Sequence, residues 1–149
     1  MYAPTKRKTK KRGINAKTAG NSGVKRIKRR KTTERGRLEA QLDKLWGKRI
    51  KAIWQGKCAI TGNAGVDPHH FFGKKKCPAT RWDLDNGIFL SKGYHRFTVH
   101  AEGITEPARE AIIARIGVER FNALYERAFS NYKHSILELE QIRDSLLMD

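Results

Sequence analysis

Between residues 38 and 54 apolar side chains recur at three- and four-residue steps: Leu38, Leu42, Leu45, Trp46, Ile50, Ile53 and Trp54. That spacing gives one apolar face and predicts a helix over 33–56, capped by Thr32 or Thr33 and stopped by Gly56. Residues 58–65 (CAITGNAG) read as a turn-rich knuckle. A short apolar stretch from Val66 to Phe72 and a second at Gly87–Ser91 read as the strands of a small hairpin, joined across a lysine loop. A short helix is expected from Lys92 to Ala101. Thr105 and Gly117 bracket a helix over 106–116, with Pro107 tolerated in its first turn. Another helix is expected over 118–129. A last one, over 131–147, carries a stripe of Tyr132, Ile136, Leu139, Ile142 and Leu146. That stripe is read as core, with a homodimer seam as its alternative. The predicted fold class is α+β and mainly helical.

Charge divides the chain in two. The 149 residues carry a net +17, of which residues 1–37 hold +14 and residues 38–149 only +3. The runs TKRKTKKR (5–12) and KRIKRRK (25–31) are separated by Gly, Asn, Ser and Ala without periodicity. Residues 1–32 are therefore expected to be a disordered basic arm and 33–149 the folded domain. Lysines and arginines that neutralise phosphates release condensed counterions, so Lys25, Arg26, Lys28, Arg29, Arg30 and Lys31 are expected to grip nucleic acid without choosing its sequence. A solubilising tail or a nuclear-import signal would look similar. No apolar run is long enough for a membrane span, and no apolar segment follows the N-terminal charges as in a secretory leader. Two cysteines make no disulfide scaffold, so a cytoplasmic location is expected.

Four of the five histidines fall between residues 69 and 100: His69, His70, His95 and His100. A hairpin followed by a helix packed across it would gather them beside Asn86. Imidazole is both a common ligand for divalent metals and a general base near neutral pH. Phosphodiester hydrolysis uses both, a metal to neutralise phosphate and leaving oxygens and a base to deprotonate water. There are enough imidazoles here for one base and two or three ligands.

The stretch from Cys58 to His100 resembles an HNH endonuclease of the ββα-metal class. The wider segment from Leu42 to about Ala128 is similar to the phage recombination endonucleases NinG and Rap. The matching features are LDKLWGKRIKAIWQGKCAITG (42–62), HHFFG (69–73), TRWDLDNGIFLS (80–91), Tyr94-His95 and EPAREAIIARIGVERFNALYERA (106–128). The resemblance implies a ββα-metal core over 58–101 between an N-terminal helix and a helical tail over 105–149. It implies His70 as general base, Asn86 as a brace that orients it, and His69, His95 and His100 as ligands of one divalent ion. Mg²⁺ is expected first, with Mn²⁺, Ni²⁺ or Zn²⁺ as alternatives. The His95–His100 interval is five residues, where relatives often have four. On an ideal helix five residues leave the two side chains about 140° apart, so either the helix ends or bulges between them or His100 is a DNA contact.

One departure from the family stands out. Many relatives hold a structural zinc with four cysteines, but the corresponding positions here are Cys58, Thr61, Ser91 and Tyr94. A closed zinc site needs all its ligands, so no structural zinc is expected. Cys58 is then a small buried residue, and Cys77 is expected to be exposed. Lys74, Lys75, Lys76, Arg81 and Arg96 are candidate phosphate contacts, and Trp82 belongs in the core. Asp83 and Asp85 are read either as turn formers or as partners of a ligand imidazole. Asp67, two residues before His69, is left outside the ligand set, and His134 is read as ordinary. The expected function is a metal-dependent DNA endonuclease of phage recombination or DNA processing. A non-catalytic nucleic-acid-binding protein that keeps the hairpin, or a small basic RNA-binding protein of ribosomal style, is the alternative.

Overall fold

The chain divides between Lys31 and Thr32. The structure, a computed structural model, describes residues 32–99 and 105–148. The arm cations Lys25, Arg26, Lys28, Arg29, Arg30 and Lys31 and the candidate ligand His100 lie outside the described residues.

Helix α1 (Glu34–Ile53) starts where Thr33 accepts a hydrogen bond from the Gly36 N–H. It ends where Gln55 and Gly56 enter positive φ and the Gly56 N–H reaches back to Lys51 O, a left-handed cap. The knuckle is fixed by Cys58 N–H to Asn63 O and by Ala59 N–H to Phe89 O. Strands β1 (Asp67–His70) and β2 (Gly87–Leu90) form the two-stranded antiparallel sheet, with His70 opposite Gly87 and Asp67 opposite Leu90. Two single-turn 3₁₀ segments, Pro78–Thr80 and Leu84–Asn86, bend the connection between them. Helices α2 (Glu106–Ile116), α3 (Val118–Ala128) and α4 (Ile136–Met148) follow. The mainly helical α+β class is thus present. No helix among the described residues is long and apolar enough to cross a membrane.

Alternation along the strands splits the core between the two sheet faces. On one face Ile88 and Leu90 pack with Cys58, Phe71 and the buried sides of α2 and α3. On the other Phe89 joins Leu42, Trp46 and Ile50 of α1, Trp82, and Leu139 and Leu146 of α4. Of the apolar stripe of the last segment, Leu139, Ile142 and Leu146 pack into this cluster with α1, whereas Tyr132 and Ile136 are exposed. Gly87 permits the close approach of α1. A Cβ there would lie 2.0 Å from Ile50 Cδ1 and 3.2 Å from the Trp46 ring.

Three expectations need correcting. The last helix begins at Ile136, not 131. Ser135 and Glu138 form a reciprocal capping box, with Ser135 N–H donating to Glu138 Oε2 at 2.7 Å and Glu138 N–H to Ser135 Oγ at 3.3 Å. The segment after β2 is not a plain α-helix, since Tyr94–Val99 is π-helical. Cys77 is only 3 % exposed, because the chain turns inward there before Pro78, and burial pushes its thiol pKa up.

Candidate functional site

A cleft of about 600 Å³ wraps the open edge of β1. Asp43 and Trp46 of α1 line one side and His95 the other, with His69, His70 and the loop Gly73–Lys76 between. Adjacent strand residues face opposite ways, yet His69 and His70 both border this space because the strand ends at His70 and its edge is uncovered.

His70 is held on two sides. Its Nε2 lies 2.7 Å from the carbonyl oxygen of Arg81. A carbonyl only accepts, so Nε2 carries the proton and the lone pair sits on Nδ1. The Trp46 ring stacks on the imidazole at 3.9 Å and 9°. Burial, together with the nearby positive charges of Lys74 and Arg81, lowers its pKa to about 4 against the pull of the Arg81 carbonyl and Asp43. The imidazole is therefore neutral at physiological pH.

Asn86 is fully buried and does not border the cleft. Its Oδ1 accepts from Phe72 N–H at 2.6 Å, and its Nδ2 donates to Phe72 O at 3.0 Å and to Thr80 O at 2.9 Å. It clamps both ends of the loop that carries Lys74–Lys76 and leads into Arg81, whose carbonyl holds His70. Every polar atom of the amide is used, so its task is positioning rather than proton transfer.

On the far side His95 donates from Nδ1 to Asp67 Oδ2 at 3.0 Å. The rings of His69 and His95 lie 4.7 Å apart, tilted by 59°. Asp67 was outside the sequence-based ligand set. Period-two alternation could have found it, because residues two apart in a strand share a face. The π-helical turn also bears on the five-residue step from His95. It closes i→i+5 hydrogen bonds instead of i→i+4 over Tyr94–Val99, and His100 lies beyond the described residues.

Imidazole nitrogens and a carboxylate are suitable donors for a divalent ion. Among the described residues no three His, Cys, Asp or Glu side chains converge tightly enough to enclose one. The imidazoles of His69 and His95 both border the cleft, and Asp67 is hydrogen-bonded to the second of them.

The candidate cations behave differently from one another. Lys74, Lys75 and Lys76 are exposed on the cleft wall, and Lys74 also reaches Asp43 at 3.0 Å. Arg96 is exposed beside His95. Arg81 is committed internally, with Nε and Nη2 on Asp43 and Nη1 on Glu39 at 2.9–3.0 Å. Trp82, buried as expected, donates to Asp43 Oδ1 at 2.9 Å. Asp83 and Asp85 are turn formers whose carboxylates pair with Arg127 and Arg120 of α3. His134 donates to Ala79 O at 3.0 Å.

The four positions of the knuckle also come together. Burial alone would raise the Cys58 thiol, but hydrogen bonds from the Thr61 hydroxyl and from the backbone of Thr61, Ser91 and Ile60 bring its pKa down to about 7. Tyr94 donates its backbone N–H to Ser91 Oγ at 3.4 Å, and its hydroxyl pairs with Thr105. Hydrogen bonds thus link Cys58 to Thr61 and Ser91, and Ser91 to Tyr94. Compared with known proteins, the chain matches no family model, no curated protein and no solved structure.

Proposed function

We propose that this chain is a metal-dependent endonuclease of the HNH type that hydrolyses DNA phosphodiester bonds. The observation that carries the reading is His70, a neutral imidazole with its proton fixed on Nε2 and its Nδ1 available to a water, in the same cleft as His69 and His95.

The chemistry follows from those positions. Lys74, Lys75, Lys76 and Arg96 hold the phosphate backbone against the cleft. His70 takes the proton of the attacking water at Nδ1, and the Arg81 carbonyl stabilises the imidazolium that forms. Trp46 keeps the ring in plane, and Asn86 keeps the loop that positions Arg81. His69 and His95 would hold one divalent ion, Mg²⁺ first, with His100 as a further candidate. Such an ion neutralises charge on the phosphate and leaving oxygens. The basic arm adds affinity without sequence choice. A phage recombination or DNA-processing role, in the cytoplasm of the host, follows from the family resemblance.

The non-catalytic alternative draws on one observation, that no three metal donors converge among the described residues. Supercoiled-plasmid nicking in Mg²⁺ or Mn²⁺, with and without chelator, separates the two. The endonuclease reading expects nicking that chelator abolishes. It also expects His70→Ala to lower the rate by about 10²–10⁴-fold while DNA affinity holds. Undiminished cutting by that variant, or in full chelator, sinks the assignment.

A further inference from the structure

The far side of the lysine loop carries a feature that the cleft does not use. Phe72, Phe121, Tyr125, Asn122 and Arg109 line a shallow hollow of about 480 Å³. Phe121 is its buried floor, whereas Tyr125 is 53 % and Phe129 59 % exposed. The rings of Tyr125 and Phe129 lie 4.9 Å apart, and each is 5.8 Å from Phe72. Arg109 lies over the Phe121 ring at 5.4 Å, and Glu106 takes only its Nη1.

Two exposed rings beside the partly buried Phe72 cost solubility, and the packing of α3 does not require them, since Phe121, Leu124 and Ala128 already bury its inner face. We infer that this hollow is a stacking seat for one unpaired nucleobase of a DNA strand whose backbone runs along Lys74–Lys76. The inference rests on the nucleic-acid reading above and adds the form of the substrate.

The chemistry on the page favours a base over other occupants. Aromatic faces stack any base, the Asn122 amide offers a donor and an acceptor to a base edge, and Arg109 is a cation for the adjoining phosphate. No carboxylate lines the hollow. Position agrees as well. Phe72 and Lys74 are two residues apart, at most about 7 Å of backbone. Asn86 clamps both backbone groups of Phe72, so the residue that braces the cleft loop also sets one ring of the seat.

The test compares two ligands of equal length and charge, a short oligothymidylate and its abasic counterpart, binding the full chain in chelator. Equal charge cancels the phosphate term, so the affinity ratio reports stacking. Wild type should prefer the oligothymidylate by about 5- to 100-fold. Tyr125→Ala with Phe129→Ala should bring the ratio towards one and leave abasic affinity unchanged. Tyr125→Leu with Phe129→Leu, which keeps apolar bulk without the rings, should do the same if the alanine pair melts early. A wild-type ratio near one, or a ratio that survives loss of both rings, overturns the inference. So does a dimer in wild type that becomes a monomer in the variants, which would make the patch a contact between copies. Plasmid nicking is read separately, so a protein that stacks bases but never cuts would sink the nuclease reading and spare this one.

Discussion

The two sides of the cleft are built differently. On the His70 side each group is held by named partners: the ring by buried Trp46 and the Arg81 carbonyl, Arg81 by the partly buried Asp43 and Glu39, the loop by buried Asn86. On the His95 side Nδ1 of His95 donates to Asp67, and Asp67 is itself 44 % exposed at its side chain. A proton acceptor has to be placed by the protein alone, because a misplaced base has no partner to pull it into line. Metal donors can be drawn together by the ion they bind, so they tolerate a looser frame.

If that contrast is right, substitutions on the two sides should fail in different currencies. The largest effect belongs to Asn86→Ala. It strands Phe72 N–H, Phe72 O and Thr80 O in a buried site, which should cost about 3 kcal/mol and lower Tm by roughly 10–20 °C, with cutting lost even where the protein stays folded. Thermal melting followed by nicking below the melt checks both parts. An unchanged Tm would mean that the loop is held by something else.

On the opposite side Asp67→Asn should leave Tm where it is and weaken divalent-ion binding by about 10- to 100-fold, the usual worth of a partner that orients a ligand imidazole. Calorimetric titration with Mn²⁺ reads this without reference to activity. If Asp67→Asn melts early and binds metal normally, the contrast between the sides collapses.

The smallest effect sharpens the His70 side through pH. Burial works against ionisation of Asp43, but Arg81, Lys74 and Trp82 outweigh it and hold its pKa below the ordinary 3.8. A depressed carboxylate stabilises the fold above its unfolded pKa, and the stabilisation is lost as pH falls through the folded value. Asp43→Asn should therefore be less stable than wild type at pH 7 by about 1–2 kcal/mol. The gap should close below pH of about 4, as wild type loses the same contribution. Urea unfolding across that range measures it, and a gap that stays constant into acid would contradict the ion-pair account.

How much of this was legible in the sequence varies with the distance over which each signal acts. Thr33, Gly56 and Gly117 mark helix ends through their own backbone preferences, and all three were readable. His70 and Asn86 were singled out through the resemblance, and the structure sets the first in the cleft and buries the second behind its loop. The parts missed are those that depend on a distant partner. Asp43 and Trp46 looked like one polar and one apolar position on α1. Nothing local says that Gly87, forty-one residues on, makes room for that helix beside His70. Cys77 looked exposed because of its lysine neighbours, and only the inward turn at Pro78 hides it. Ser135 and Glu138, by contrast, were a local signal that went unread.

Helices α1 and α4 have a further consequence, in the order of events at the ribosome. The face of α1 that places Trp46 against His70 is completed by Leu139 and Leu146, and Arg35 reaches the carbonyl of His134 ninety-nine residues later. At synthesis rates of ~5–20 residues per second, roughly 5–20 s separate those two residues. Through that interval the growing chain carries its charged arm and then its histidines, while the wall behind His70 still lacks its far half. The charged arm is made first, and the cleft is finished last.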